Sequence, residues 1–179
     1  MLPKNEIKIN EAYRDYTPPV SVSAIVRELL STVPDKYLQG LDCVVLTNEV
    51  ALSRKDRVGR VWSRRRKFDK ARVMGRYHPG SRSHLPWIEL RVDKIVAVMN
   101  RAPLPLRMTS FWRDALFGHV LFHELGHHIH RTIRREHTEK EDVADTWAGK
   151  LNANFIRKAH RSWVPVLKVY RFMRRRHWI

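Results

Sequence analysis

Residues 110–132 read SFWRDALFGHVLFHELGHHIHRT. Phe111, Leu116, Phe117, Val120, Leu121 and Leu125 recur at spacings of one, three or four, the signature of a helix with an apolar face. Inside it stands His123-Glu124-Leu125-Gly126-His127, an H-E-x-x-H pattern. Two histidines four residues apart lie one turn apart on one face, so both imidazoles can reach a single metal ion. Zinc, one ion per chain, suits two imidazoles, and Glu124 then sits beside the ion, where its carboxylate can take a proton from an activated water. With 10 His and 9 Glu in 179 residues, chance supplies only about 0.03 such matches. The apolar residues around the motif also argue against a merely decorated surface helix.

A catalytic zinc takes three protein ligands and leaves a fourth position open. A histidine six residues past His127 would signal the metzincin pattern, but Ile133 stands there. A second helix is expected from about Thr138 to Ala159, with Val143, Ala144, Trp147, Ala148, Leu151 and Phe155 as its apolar stripe. Glu141 lies 14 residues past His127, with Asp145 four further along the same face. Two antiparallel helices can bring Glu141 to the metal, with Asp145 accepting the free ring N–H of a ligand histidine. Asp142 and His137 are alternative ligands, and Thr138 with Glu141 also fits a capping box. His119 reads as a polar helix-face residue. His128 and His130 are expected to point away from His123 and to be non-ligands.

Outward from this pair, a first helix is expected around Ile25, Val26, Leu29 and Leu30, capped by Ser21 or Ser23 and ending before Pro34. Leu41–Leu46 is a short β-branched run and reads as a buried strand, with Cys43 a small core residue. Val73–Tyr77 and Trp87–Val92 read as two more strands, joined by a turn-rich HPGSRSHLP stretch. Ile88, Leu90 and Val92 alternate with Glu89 and Arg91, which predicts one face on the core and one toward solvent. Asp93–Met99 reads as a short helix. The expectation is therefore an α+β domain, a small mixed or antiparallel sheet packed on the H-E-x-x-H helix and a second, ligand-bearing helix. Its bounds are 21–160, preceded by an arm at 1–20 without sustained period and followed by a basic amphipathic tail at 161–179.

The 43% hydrophobic content fits one domain with a real core, and the single cysteine excludes both an intrachain disulfide and a four-cysteine metal module. No stretch approaches the length of an apolar membrane span, and the opening MLPKNEIKINE has no apolar signal core, so a cytoplasmic protein is expected. Net charge is +17, and it is uneven: +10 falls in residues 51–100 and +8 in 151–179, whereas 101–150 carries +1. Arg64, Arg65, Arg66 and Lys67, flanked by Trp62 and Phe68 in an exposed insertion at 53–72, combine phosphate-seeking charge with stacking surface. Arg174, Arg175 and Arg176, beside Trp178, do the same in the tail. Nucleic acid or an acidic protein is the expected partner, bound in a salt-dependent manner with little sequence preference.

HELGHHIH at 123–130 and EDVADTWAGKL at 141–151 resemble the active helix and second-helix pattern of minimal gluzincin-type metallopeptidases related to the ImmA/IrrE proteins of bacteria and mobile elements, and phage-type metallopeptidases. The resemblance spans roughly Val73 to Leu151. It implies a zincin-like fold and peptide-bond hydrolysis, with His123, His127 and Glu141 as zinc ligands, Glu124 as catalytic base, and an edge strand that pairs with extended substrate, here Trp87–Val92. Neither basic block is covered, and the helix-turn-helix that many relatives carry has no counterpart. SprT-like DNA-associated proteases are similar more distantly, through H-E-x-x-H and basic character, but their later histidine ligand has no match. Tyr77, His78, His84 and His119 all remain open as stabilisers of the oxyanion. A nucleic-acid-binding protein on a catalytically silent zincin fold is the competing expectation.

Overall fold

The computed structural model describes residues 7–53, 60–63, 66–69, 73–132 and 140–165. In chain order the strands and helices are β1 (Lys8–Ala12), α1 (Val22–Ser31), β2 (Cys43–Thr47), β3 (Arg60–Ser63), β4 (Arg66–Asp69), β5 (Gly75–His78), β6 (Trp87–Arg91), α2 (Val92–Met99), α3 (Leu104–Arg107), α4 (Ser110–Thr132) and α5 (Lys140–Ala159). The fold is thus α+β, with five helices and a mixed four-stranded sheet among the described residues. Strand order is β1-β2-β6-β5, and β3 and β4 form a separate antiparallel pair. β1, β2 and β6 run parallel, and β5 is antiparallel to β6.

Register decides the core. Val44 lies opposite Ile88 and Leu46 opposite Leu90, so the four side chains share one sheet face and are fully buried. Against them pack Val22, Val26 and Leu29 of α1, Ile95 of α2, Phe117, Leu121 and Leu125 of α4, and Ala148, Leu151 and Phe155 of α5. Each fully buried side chain of the larger kind stabilises the fold by roughly 1.5–3 kcal/mol. The start of α4 is set locally by the Thr109 hydroxyl, which accepts the Trp112 N–H at 3.2 Å. Ser21 occupies the cap position of α1 without a side-chain bond.

Three sequence expectations change. The 1–20 arm contains β1, an edge strand whose residues are mostly exposed and whose sequence KINEA lacks strand periodicity; pairing with β2, Ile9 opposite Val44, makes it a strand. Glu89 and Arg91 do not face solvent: they are 5% and 1% exposed. The Glu89 carboxylate accepts Arg91 Nε–H at 3.1 Å and lies 3.0 Å from His78 Nε2, a pairing that lets both charges be buried. Finally, β6 is not an edge. It is flanked by β2 and β5, and among the described residues the edge on the α4 side belongs to β5.

Candidate metal centre

Helix α4 presents one flank to the sheet and another to α5, which leaves the stripe of His123 and His127 half-buried between them. What brings α5 close is Gly126. A Cβ there would lie 2.7 Å from Ala144 Cα and 2.8 Å from its carbonyl oxygen, so the backbones touch only because no side chain intervenes. This approach carries Glu141 to the histidines: its Oε2 is 3.5 Å from His123 Nε2 and its Oε1 is 3.9 Å from His127 Nε2.

One ligand atom from each of His123, His127 and Glu141 lies within 4.8 Å of the others, and these three residues form a cluster able to hold a metal ion. Ligands about 2.0–2.2 Å from a tetrahedral ion are separated by about 3.4 Å, so small side-chain rotations close the set. Asp145 supports it. Its Oδ1 is 2.9 Å from His123 Nδ1, so the ring proton is held there and the Nε2 lone pair is left toward Glu141. Two imidazoles and a carboxylate, with one imidazole oriented from behind, are the donor set a zinc-type ion takes with one position open.

Glu141 therefore turns to the histidines; Thr138, its partner in the expected capping box, and His137 lie outside the described residues. Asp142 is exposed. His128 does turn to the far side of α4. His130 does not: seven residues make two turns to within about 20°, so it shares the stripe of His123. It is buried, neither ring nitrogen has a hydrogen-bond partner among the described residues, and it is not in the ligand cluster.

Glu124 occupies the next face of α4, toward β5, and is buried. Gly75 makes the room: a Cβ there would lie 2.9 Å from both Cγ and Oε1 of Glu124. Burial pushes the Glu124 carboxyl up to about 8; the Tyr77 main-chain N–H donates to it and opposes the rise, while Glu141 adds to it.

The four residues left open for oxyanion stabilisation separate clearly. Tyr77 Oη lies 3.4 Å from His128 Nδ1. His78 is bound to Glu89 and stacks on Trp87, with centroids 3.7 Å apart, on the opposite face of the sheet. His84 is exposed beside the Leu85 carbonyl, and His119 is exposed on α4 one turn before His123. Among the basic residues, Arg66 and Lys67 lie on β4, while Arg64, Arg65, Arg174, Arg175 and Arg176 are outside the described residues.

Sequence reasoning missed Gly75, Gly126 and the Tyr77 N–H. Only Gly126 left a signal, as a glycine inside a strong helix pattern. No helix among the described residues is long and apolar enough to cross a membrane. Comparison of the chain with family models, with curated proteins and with solved structures finds no match in any of the three.

Proposed function

We propose that the chain is a zinc metallopeptidase that hydrolyses peptide bonds, with His123, His127 and Glu141 as zinc ligands and Glu124 as general base. One observation carries this reading: His123 and His127, which cluster with Glu141 of α5, share one turn of α4 with a buried carboxylate that no structural zinc site would need. Zinc held there would supply Lewis acidity, activating water and polarising a scissile carbonyl.

The protein's own residues do the rest. Glu124 takes a proton from the attacking water and returns it to the leaving amine; a carboxyl lifted by burial toward neutrality can do both. Asp145 fixes the His123 tautomer. β5, rather than β6, offers the free edge to substrate. Arg91 N–H bonds the Met74 carbonyl at 2.8 Å, so by antiparallel alternation the main-chain groups of Gly75 and the Tyr77 carbonyl are left to the open edge, the Tyr77 N–H being taken by Glu124. An extended peptide laid there is held by main-chain bonds, which favours broad specificity.

The basic blocks, with the net charge of +17, suit delivery to nucleic acid or to acidic proteins, and the lone buried Cys43 suits a reducing, cytoplasmic setting. The rival, a nucleic-acid-binding protein on a silent fold, leaves the buried Glu124 without a role.

Zinc content by mass spectrometry, measured on the wild type, Glu141→Ala and Glu124→Gln, tests the proposal together with hydrolysis of fluorescein-labelled casein. The expected result is one zinc per wild-type chain, a large loss in Glu141→Ala, and full zinc with no hydrolysis in Glu124→Gln. A zinc-free wild type, or a Glu124→Gln protein as active as the wild type, overturns it.

A further inference from the structure

His128 is fully buried on the face of α4 turned away from the ligand stripe, and neither the ligand set nor the general base uses it. Its ring is nonetheless held at both nitrogens. Nε2 lies 3.0 Å from the Gln39 carbonyl oxygen, which can only accept, so Nε2 carries the proton. Nδ1 is then the acceptor, and the Tyr77 hydroxyl, 3.4 Å away, is its donor. The two rings meet edge to face with centroids 5.7 Å apart. Tyr77 has a second tie from the same residue: its main-chain N–H donates to the Glu124 carboxylate.

Gln39, His128 and Tyr77 therefore form a chain of hydrogen bonds from the loop before β2, through α4, to the free edge of the sheet. β5 spans only Gly75–His78 and, among the described residues, pairs with β6 alone. We propose that His128 is a positioning residue: by holding the Tyr77 side chain it holds the Tyr77 N–H against Glu124 and so sets the direction of the carboxylate. This rests on Glu124 being the general base, but the hydrogen-bond chain itself does not.

Two readouts separate the two claims. The first is amide hydrogen exchange followed by NMR on the metal-free full chain, for wild type, His128→Phe, His128→Gln and Tyr77→Phe. Tyr77→Phe keeps the ring packing and loses only the hydroxyl, so it stays informative if His128→Phe fails to fold. The Tyr77 amide should exchange at least about tenfold faster in Tyr77→Phe and His128→Phe. The Arg76 amide, bonded to β6, should be unchanged, and His128→Gln, which retains one donor and one acceptor, should restore much of the protection. Equal Tyr77 exchange in wild type and Tyr77→Phe overturns the proposal.

The second readout is zinc-loaded hydrolysis of fluorescein-labelled casein. Tyr77→Phe should keep one zinc per chain and an unchanged KM, while kcat falls about tenfold, the lower end of what loss of an orienting partner costs. A fall in zinc content or a rise in KM at constant kcat would assign the chain a merely structural role and overturn the positioning claim. Absence of hydrolysis by the wild type would sink the peptidase reading instead, and the exchange experiment would still decide whether His128 holds Tyr77.

Discussion

Gly126 and Ala144 are in backbone contact: a methyl group on Gly126 would lie 2.7 Å from Ala144 Cα. Alanine is favoured over glycine inside a helix by about 1 kcal/mol. Here overpacking of about 1–3 kcal/mol outweighs that, because what the methyl meets is main chain and cannot swing aside. Gly126→Ala should therefore lower the melting temperature slightly and, by moving α5 outward, draw Glu141 off the histidines. Chelator competition should show zinc affinity reduced at least about tenfold. Unaltered affinity would mean that the helix spacing does not control the ligand set.

Asp145→Asn tests the orientation of His123. Asparagine keeps the volume but can present its N–H₂ toward Nδ1, which selects the wrong tautomer and takes Nε2 out of the ligand set. Zinc affinity should fall about 10–100-fold, with the far-ultraviolet circular dichroism unchanged. Affinity equal to that of the wild type would make Asp145 a bystander.

Helix α4 and its partner α5 are legible in the sequence because their information is local. A run of apolar residues at helical spacing identifies α4, and H-E-x-x-H marks its outward stripe. Glu141 and Asp145 could be placed because four residues is one turn on any helix. What was not legible is set by long-range pairing. KINEA at 8–12 has no pattern of its own and becomes β1 only beside β2. Alternation in WIELR identifies a strand, yet it says nothing about what covers the second face, so on pattern alone Glu89 and Arg91 belong to solvent. Whether β5 or β6 is the edge depends on the sheet order, in which a strand from the start of the chain is separated from β6 by β2. The rotation of His130 was within reach of helix arithmetic, and its actual position follows from seven residues being close to two turns.

Acid should weaken the fold through Glu89. Burial raises its pKa, but the hydrogen bonds and charges of His78 and Arg91 prevail and hold the carboxyl below its ordinary value of 4.5. A carboxylate depressed in the folded state contributes stability that is present above about pH 4.5 and is lost as the pH falls through the lower, folded value. Glu89→Gln leaves the buried Arg91 without its carboxylate and should cost about 3–5 kcal/mol at pH 7. As the pH falls below 4.5 toward the folded value the wild type progressively loses the same interaction, so the two melting temperatures should draw together. A gap that is constant from pH 7 to pH 3 would show that the Glu89 charge is not what stabilises this face.

Gly75→Ala is the counterpart of Gly126→Ala on the other flank of α4. A methyl on Gly75 would sit 2.8 Å from Val120 Cγ1 and 2.9 Å from Glu124 Cγ and Oε1. These are side-chain atoms, so the fold can absorb the change by turning Glu124 aside, with destabilisation of about 1–3 kcal/mol. The ligand cluster lies on the opposite side of the carboxylate and is not touched. Gly75→Ala should accordingly retain one zinc per chain and lose casein hydrolysis, whereas Gly126→Ala should lose zinc, with hydrolysis restored when zinc is raised to saturation. If zinc content and hydrolysis fall together in Gly75→Ala, the base and the ligands are not separately positioned, and Glu124 would have to be regarded as part of what holds the metal.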